Sequence, residues 1–269
     1  MQDDLNQSEW ALLLEGVLFY GDPHGRWDPL LKALGPETKE VIILGDLADA
    51  AKDPAQVETA RRALQDVRAR GINWWTISGN HDTETDEICD LLHDEMPANL
   101  LDGKVVQATG MGTAIAGLGG VVRGRVWDGR GPAQVHSPED MIAASHPSAL
   151  HRGGLPRRHR STIFPSEVAK LGLQRADVLV SHEAPSCNRH GFSFIDRLAG
   201  DMGAGLIVHG HHHLSYESVL PNGVRVKGLG RAEVWQPSVE LSPTQRSLLR
   251  AGVDTLRRGS ATYDLLKDL

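Results

Sequence analysis

Residues 41–49 read VIILGDLAD: four apolar side chains, then Gly45 and Asp46, then Asp49 three positions on. A short unbroken apolar run closed by a turn residue fits a strand buried on both faces, and such strands belong to parallel sheets. The pattern recurs on either side of it. Residues 17–20 run into Gly21-Asp22, and residues 74–78 run into Gly79-Asn80-His81. Between the second and third runs, Asp53-Pro54 is a helix-start signal, and Val57, Ala60, Leu64 and Val67 then recur on one helical face as far as Arg70-Gly71. Strand, helix, strand, helix, strand in that order implies a parallel sheet with crossover connections.

Beyond Met96-Pro97 the texture changes. Residues 105–108, residues 113–118 and the glycine-broken GGVVRGRVW of 119–127 read as strands without helices between them, which points to a second sheet packed beside the first. Residues 129–165 read as a long irregular connection. Residues 178–181 and 206–210 return as buried strands, residues 216–220 and 224–227 flank a PNG turn as a hairpin, and Ser242-Pro243 with Gln245 opens a terminal helix as a capping box. No repeat, low-complexity tract or linker interrupts the chain, so residues 1–269 are expected to form a single domain.

Composition limits the function classes. The chain is 40% apolar and 23% charged, with a formal charge of −7. A negative surface opposes bulk attraction to nucleic acid or to anionic membrane, so neither is expected as a partner. The acidic start MQDDLNQSEW and the Glu15 that interrupts the next apolar run fit neither a signal peptide nor a membrane span, and a cytoplasmic address is expected. Cys89 and Cys187 are far apart and form no CxxC pattern, which argues against a disulfide framework and against a thiolate zinc site. The charge is uneven: residues 123–160 carry seven arginines against Asp128, Glu139 and Asp140, a net of +4 that leaves −11 elsewhere.

Chemistry gathers at the strand ends. In chain order these are GDPHG (Asp22, His24), GDLAD (Asp46, Asp49), GNHD (Asn80, His81, Asp82), SHEAP (His182) and HGHHH (His209, His211, His212, His213). The carboxyl ends of parallel strands share one edge, where ligands bind, so distant segments can converge there. Aspartate mixed with imidazole suits manganese, iron or zinc, whereas magnesium or calcium would favour oxygen alone.

This set of motifs resembles the calcineurin-like metallophosphoesterases, whose signature runs D-x-H, G-D-x-x-D, G-N-H-[DE], an isolated His and then G-H-x-H. All five parts occur here, in order, between Asp22 and His213. The resemblance implies an α/β fold, a four-layer α-β-β-α sandwich of two mixed sheets. It implies two divalent metal ions, manganese first with iron or zinc as alternatives. Asp22, His24 and His213 would hold one ion, Asn80, His182 and His211 the other, and Asp46 would bridge them. Metal-bound hydroxide would attack the phosphate ester, because coordination brings the pKa of water down to roughly 7. His81 would protonate the leaving group, with Asp49 accepting a hydrogen bond from it.

The remaining residues divide more simply. His209 and His212 are not required by G-H-x-H and read as strand-end or supporting polar groups. Asp82 fits a helix cap. His93, His136, His146, His151 and His190 read as surface or loop residues. The glycines of residues 110–124 do not spell a dinucleotide fingerprint and read as strand bends or close sheet packing. The arginine-rich HRGGLPRRHR of 151–160 is either a solvated loop or an anion-binding flap over the metals, with His159 a contact in the second case. The protein serine/threonine phosphatases that share the implied fold carry Arg-Gly after G-D-x-x-D and another arginine soon after G-N-H-E. Here Ala50-Ala51 follow Asp49 and Asp82-Thr83-Glu84 follow His81, so phosphate binding falls to other arginines. The expected substrate is a phosphorylated small molecule or phosphopeptide, with phosphomonoester, nucleotide and small phosphodiester all open. A nuclease of the same superfamily is opposed by charge and by the scarcity of aromatic residues, and a metal-binding module without catalysis would be expected to show gaps in the ligand set.

Overall fold

The computed structural model describes residues 7–108 and 112–237. Ten strands are numbered in chain order: β1 Val17–Gly21, β2 Glu40–Ile43, β3 Asn73–Thr76, β4 Val105–Gln107, β5 Ala114–Leu118, β6 Val178–Ser181, β7 Leu206–His209, β8 Tyr216–Val219, β9 Arg225–Gly228 and β10 Glu233–Trp235. They form two sheets, one ordered β10-β1-β2-β3 and the other β4-β5-β6-β7-β9-β8. β1, β2 and β3 are mutually parallel, as are β5, β6, β7 and β9, while β10, β4 and β8 close the edges antiparallel. Both sheets are therefore mixed, as the resemblance implied.

Alternation along the strands builds the layers. Val17 and Phe19 of β1, Ile42 of β2, Val178 and Val180 of β6 and Leu206 and Val208 of β7 share the core between the sheets. Their neighbours Leu18, Tyr20, Val41 and Ile43 turn the other way, onto the helix Ala55–Ala69 through Val57, Ala60, Leu64 and Val67. Leu179 and Ile207 likewise face the helices Pro165–Gly172 and Ser193–Met202. Each fully buried Leu or Ile contributes about 2 kcal/mol, so a polar residue at any of these strand positions would cost the sheet a comparable amount. Asp53 starts the first of these helices as expected, its carboxylate accepting the Ala55 N–H at 3.1 Å.

Two expectations are corrected. Residues 119–127 are not a strand. Gly120 has φ +84°, and a Cβ there would lie 2.8 Å from the Ser161 carbonyl carbon, so a single bridge from Val121 to Thr162 replaces a ladder. The chain then turns, with Val126 and Trp127 N–H both donating to the Arg123 carbonyl. Residues 129–165 are not wholly irregular, because Ser137 caps a helix at Pro138–Ala144 by accepting the Asp140 N–H. The capping box at 242–245 lies outside the described residues. Among the described residues, no helix is long and apolar enough to cross a membrane.

Candidate metal centre

β1, β2, β3, β6 and β7 end at one rim, and the residues that follow them converge there. The backbone is strained where they do so. Seven described non-glycine residues have positive φ, and five of them are Asp22, His24, Asp46, His211 and His213, at 37°, 43°, 53°, 68° and 53°. A side chain in the left-handed region costs about 1 kcal/mol or more, and such strain is found mainly where function over-determines the geometry. Gly79 permits a close approach between two of the loops. A Cβ on it would lie 2.2 Å from Asp46 Oδ1, which explains the glycine before Asn80.

The expected site residues are all at this rim. His24 Nε2 and His213 Nε2 are 3.0 Å apart, and Asp46 Oδ2 lies 3.6 Å from the first. His182 Nε2 is 3.4 Å from Asp46 Oδ2 and 3.3 Å from Asn80 Oδ1, and its Nδ1 is 3.6 Å from Asp22 Oδ1. Asp22 Oδ2 accepts the His211 N–H at 2.7 Å and stands 3.8 Å from His213 Nε2. Two rings are oriented by their other nitrogen: His182 Nδ1 lies 2.7 Å from the Leu44 carbonyl, and His24 Nδ1 lies 2.6 Å from Asp49 Oδ1. This is how ligating imidazoles are usually held, one nitrogen tied back and the other presented. Among the described residues, donor atoms close enough to share an ion come from His24, Asp46 and His81, from Asp46, His182 and His211, and from Glu183, His211 and His212. Asp46 belongs to the first two groups.

The electrostatics fit a cation. Asp22 and Asp46 are 0% and 1% exposed, and Asp22 Oδ1 has no hydrogen-bond partner. Burial first, and the charge of Asp46 after it, push Asp22 up to about 8 despite His182. Burial also opposes ionisation of Asp46, but His182 and then His81 hold it below the usual carboxylate range. For His182 burial favours the neutral ring, yet Asp46 and Asp22 outweigh it and raise the pKa to about 10. Two buried carboxylates this close together demand a positive partner. His24, His211 and His213 are pushed down mainly by burial, His211 to about 3, which leaves neutral imidazoles of the kind a metal needs.

His81 sits at the edge of the rim. Its Nδ1 lies 3.0 Å from Glu84 Oε1 and 3.6 Å from Asp49 Oδ1, within ion-pair reach of both. Asp49 makes its shorter contact with His24 and also meets Arg231 Nη2 at 3.2 Å. Sequence reasoning missed Glu84, whose only signal is its place three residues after His81, and Arg231, which has none. Asp82, expected to cap the next helix, makes no such cap; its buried carboxylate instead accepts the N–H groups of Asp46, Leu47 and Gly79, each at 2.8 Å. His209 is buried, with Nε2 2.7 Å from the Tyr216 hydroxyl, as a supporting polar group should be. His93, expected at the surface, is instead half-buried, and burial pushes it down to about 4.

Comparison with known proteins adds three findings. The family model of calcineurin-like phosphoesterases matches residues 16–215. An uncharacterized protein of Haemophilus influenzae is 39% identical over 204 residues, covering 74% of this chain and 84% of that one. The crystal structure of a Thermus thermophilus protein superposes with a TM-score of 0.51 at 14% identity, over 82% of this chain and 93% of the other, a likeness of fold alone.

Proposed function

The chain belongs to the calcineurin-like phosphoesterase family, and from that premise we propose that it hydrolyses a phosphate ester of a small molecule with the help of two divalent metal ions. Asp22, His24 and His213 would hold one ion and Asn80, His182 and His211 the other, with Asp46 serving both. A pair of such ions, when bound, would polarise the phosphoryl oxygens and make water nucleophilic at neutral pH. The mixed aspartate and imidazole donors favour manganese, with iron or zinc as alternatives.

The chain's own groups supply the rest. The Leu44 carbonyl and the Asp49 carboxylate fix His182 and His24, so that each presents Nε2 to the centre. His81 stands beside the Asp46 end of the site, with its backbone N–H donating to Asp46 Oδ1 at 2.8 Å. There it would deliver a proton to the departing ester oxygen, a role worth roughly 10²-fold to 10⁴-fold in rate. Glu84 and Asp49 would steady its ring through Nδ1. The observation that carries the reading is Asp46, a buried carboxylate common to two adjoining sets of donors. The test is hydrolysis of an aryl phosphate before EDTA treatment, after it, and after restoring manganese. Activity that survives complete metal removal would contradict the proposal.

A further inference from the structure

Six of the seven arginines of the 123–160 segment fall into two classes. Arg152 is neutralised by Asp90 and Asp94 at 2.6 and 2.8 Å, Arg157 pairs with Asp86, and Arg160 lies 3.6 Å from Asp94. Among the described residues, Arg123, Arg125 and Arg158 form no such pair. These three, with His159, Val122, Gly124 and Met141, line a cavity of about 700 Å³ that contains no acidic wall residue. That size suits a small-molecule ligand.

The cavity adjoins the metal centre. Arg123 and Arg158 also line a second hollow of about 350 Å³, which reaches Asn80 and Glu84. Arg123 is held in place by neutral groups: Nε donates to Thr162 Oγ1 at 2.9 Å and Nη2 to Ser161 Oγ at 3.2 Å. Ser161 Oγ is in turn 2.8 Å from Thr83 Oγ1, two residues past His81. Hydroxyls fix the guanidinium without cancelling its charge. Burial first and then the charge of Arg158 push Arg123 down to about 10, against the opposing charge of Glu183. A guanidinium so placed is suited to bidentate recognition of phosphate.

We propose that Arg123, Arg125, Arg158 and His159 form a second anion subsite, which takes a further phosphoryl group of the substrate while the scissile ester lies over Asp46 and Asn80. The inference rests on the phosphoesterase reading and narrows its substrates to compounds with two or more phosphoryl groups. The negative charge of the chain as a whole confines this attraction to the cleft, which favours small ligands over a nucleic-acid strand.

The test compares a flexible alkanediol bisphosphate with the matching monophosphate on the manganese-loaded protein, by kcat/KM and by calorimetric binding. The native protein should prefer the bisphosphate by roughly tenfold or more, the value of one good hydrogen-bonded charge contact. Arg158→Gln and Arg125→Gln, both at exposed positions, should remove most of that preference, while Arg158→Lys keeps part of it. Arg152→Gln, whose charge is already met, should leave the preference intact. Equal handling of the two esters by the native protein, or a preference that the Arg158 and Arg125 variants do not alter, would overturn the subsite. If neither ester is hydrolysed but the bisphosphate still binds better in an Arg158-dependent way, the hydrolase reading fails and the subsite stands. If both are hydrolysed with no preference, the subsite fails and the hydrolase reading stands.

Discussion

Asp82 accepts the backbone N–H of Asp46 at 2.8 Å, and with it joins the loop after β3 to the loop after β2. The same carboxylate takes the Leu47 and Gly79 N–H groups, so one fully buried side chain satisfies three donors that water does not reach. Asp82→Ala would leave all three unmet and should lower stability by about 3 kcal/mol or more, whereas Asp82→Asn keeps one acceptor oxygen and should cost less. Chemical denaturation of the two variants measures the difference. Equal, small losses would mean that Asp82 does not brace the rim.

Asp49 orients His24 through the 2.6 Å contact at Nδ1. Asp49→Ala frees that ring to rotate, and metal affinity should fall by roughly 10-fold to 100-fold, as it does when ligating histidines lose their supporting carboxylates. Titration with manganese checks this. Unchanged affinity would assign the orientation of His24 to its packing alone.

His81→Ala should leave metal content near the native level and should slow esters of poor leaving groups by roughly 10²-fold or more. Nitrophenyl phosphate, whose leaving group hardly needs a proton, should suffer much less. Equal losses on alkyl and nitrophenyl esters would argue against proton donation by His81.

Glu167, which has no role in the proposed chemistry, gives the fold a pH dependence of its own. Burial, and secondarily the charge of Asp102, raise its carboxyl from 4.5 to about 7. The folded state therefore binds this proton more tightly than the unfolded state does. This contribution to stability is full below the unfolded value and is lost as pH rises through about 7. Glu167→Gln should flatten the curve between about pH 5 and about pH 8 and stabilise the protein by roughly 1 kcal/mol at the upper end. Thermal unfolding across that range reads the effect, and a variant that parallels the native curve would contradict it.

Much of this was legible in the sequence because strands buried on both faces leave continuous apolar runs. β1, β2, β6 and β7 are such runs, and the polar residue after each marks the rim. The residues 119–127 misled because Val121, Val122, Val126 and Trp127 favour strands, while the turn at Arg123 is set by contacts with a segment some forty positions on. The tie between Asp49 and His24, the reach of Glu84 to His81 and the ion pair of Arg231 with Asp49 depend on rotamers and on loop paths that carry no periodic signal. Positive φ at Asp22, His24, Asp46, His211 and His213 is only weakly signalled by residue type, since Asp and His are enriched in that region but not confined to it.

The proposed centre requires Asp46 to serve two ions at once. Metal analysis of the native protein and of Asp46→Asn, each dialysed against manganese and freed of loose ions, tests it directly. Two ions per native chain, with occupancy of both lost in the variant, is the expected result. One ion or none in the native protein, or two ions retained without the Asp46 carboxylate, would rule out a bridging Asp46.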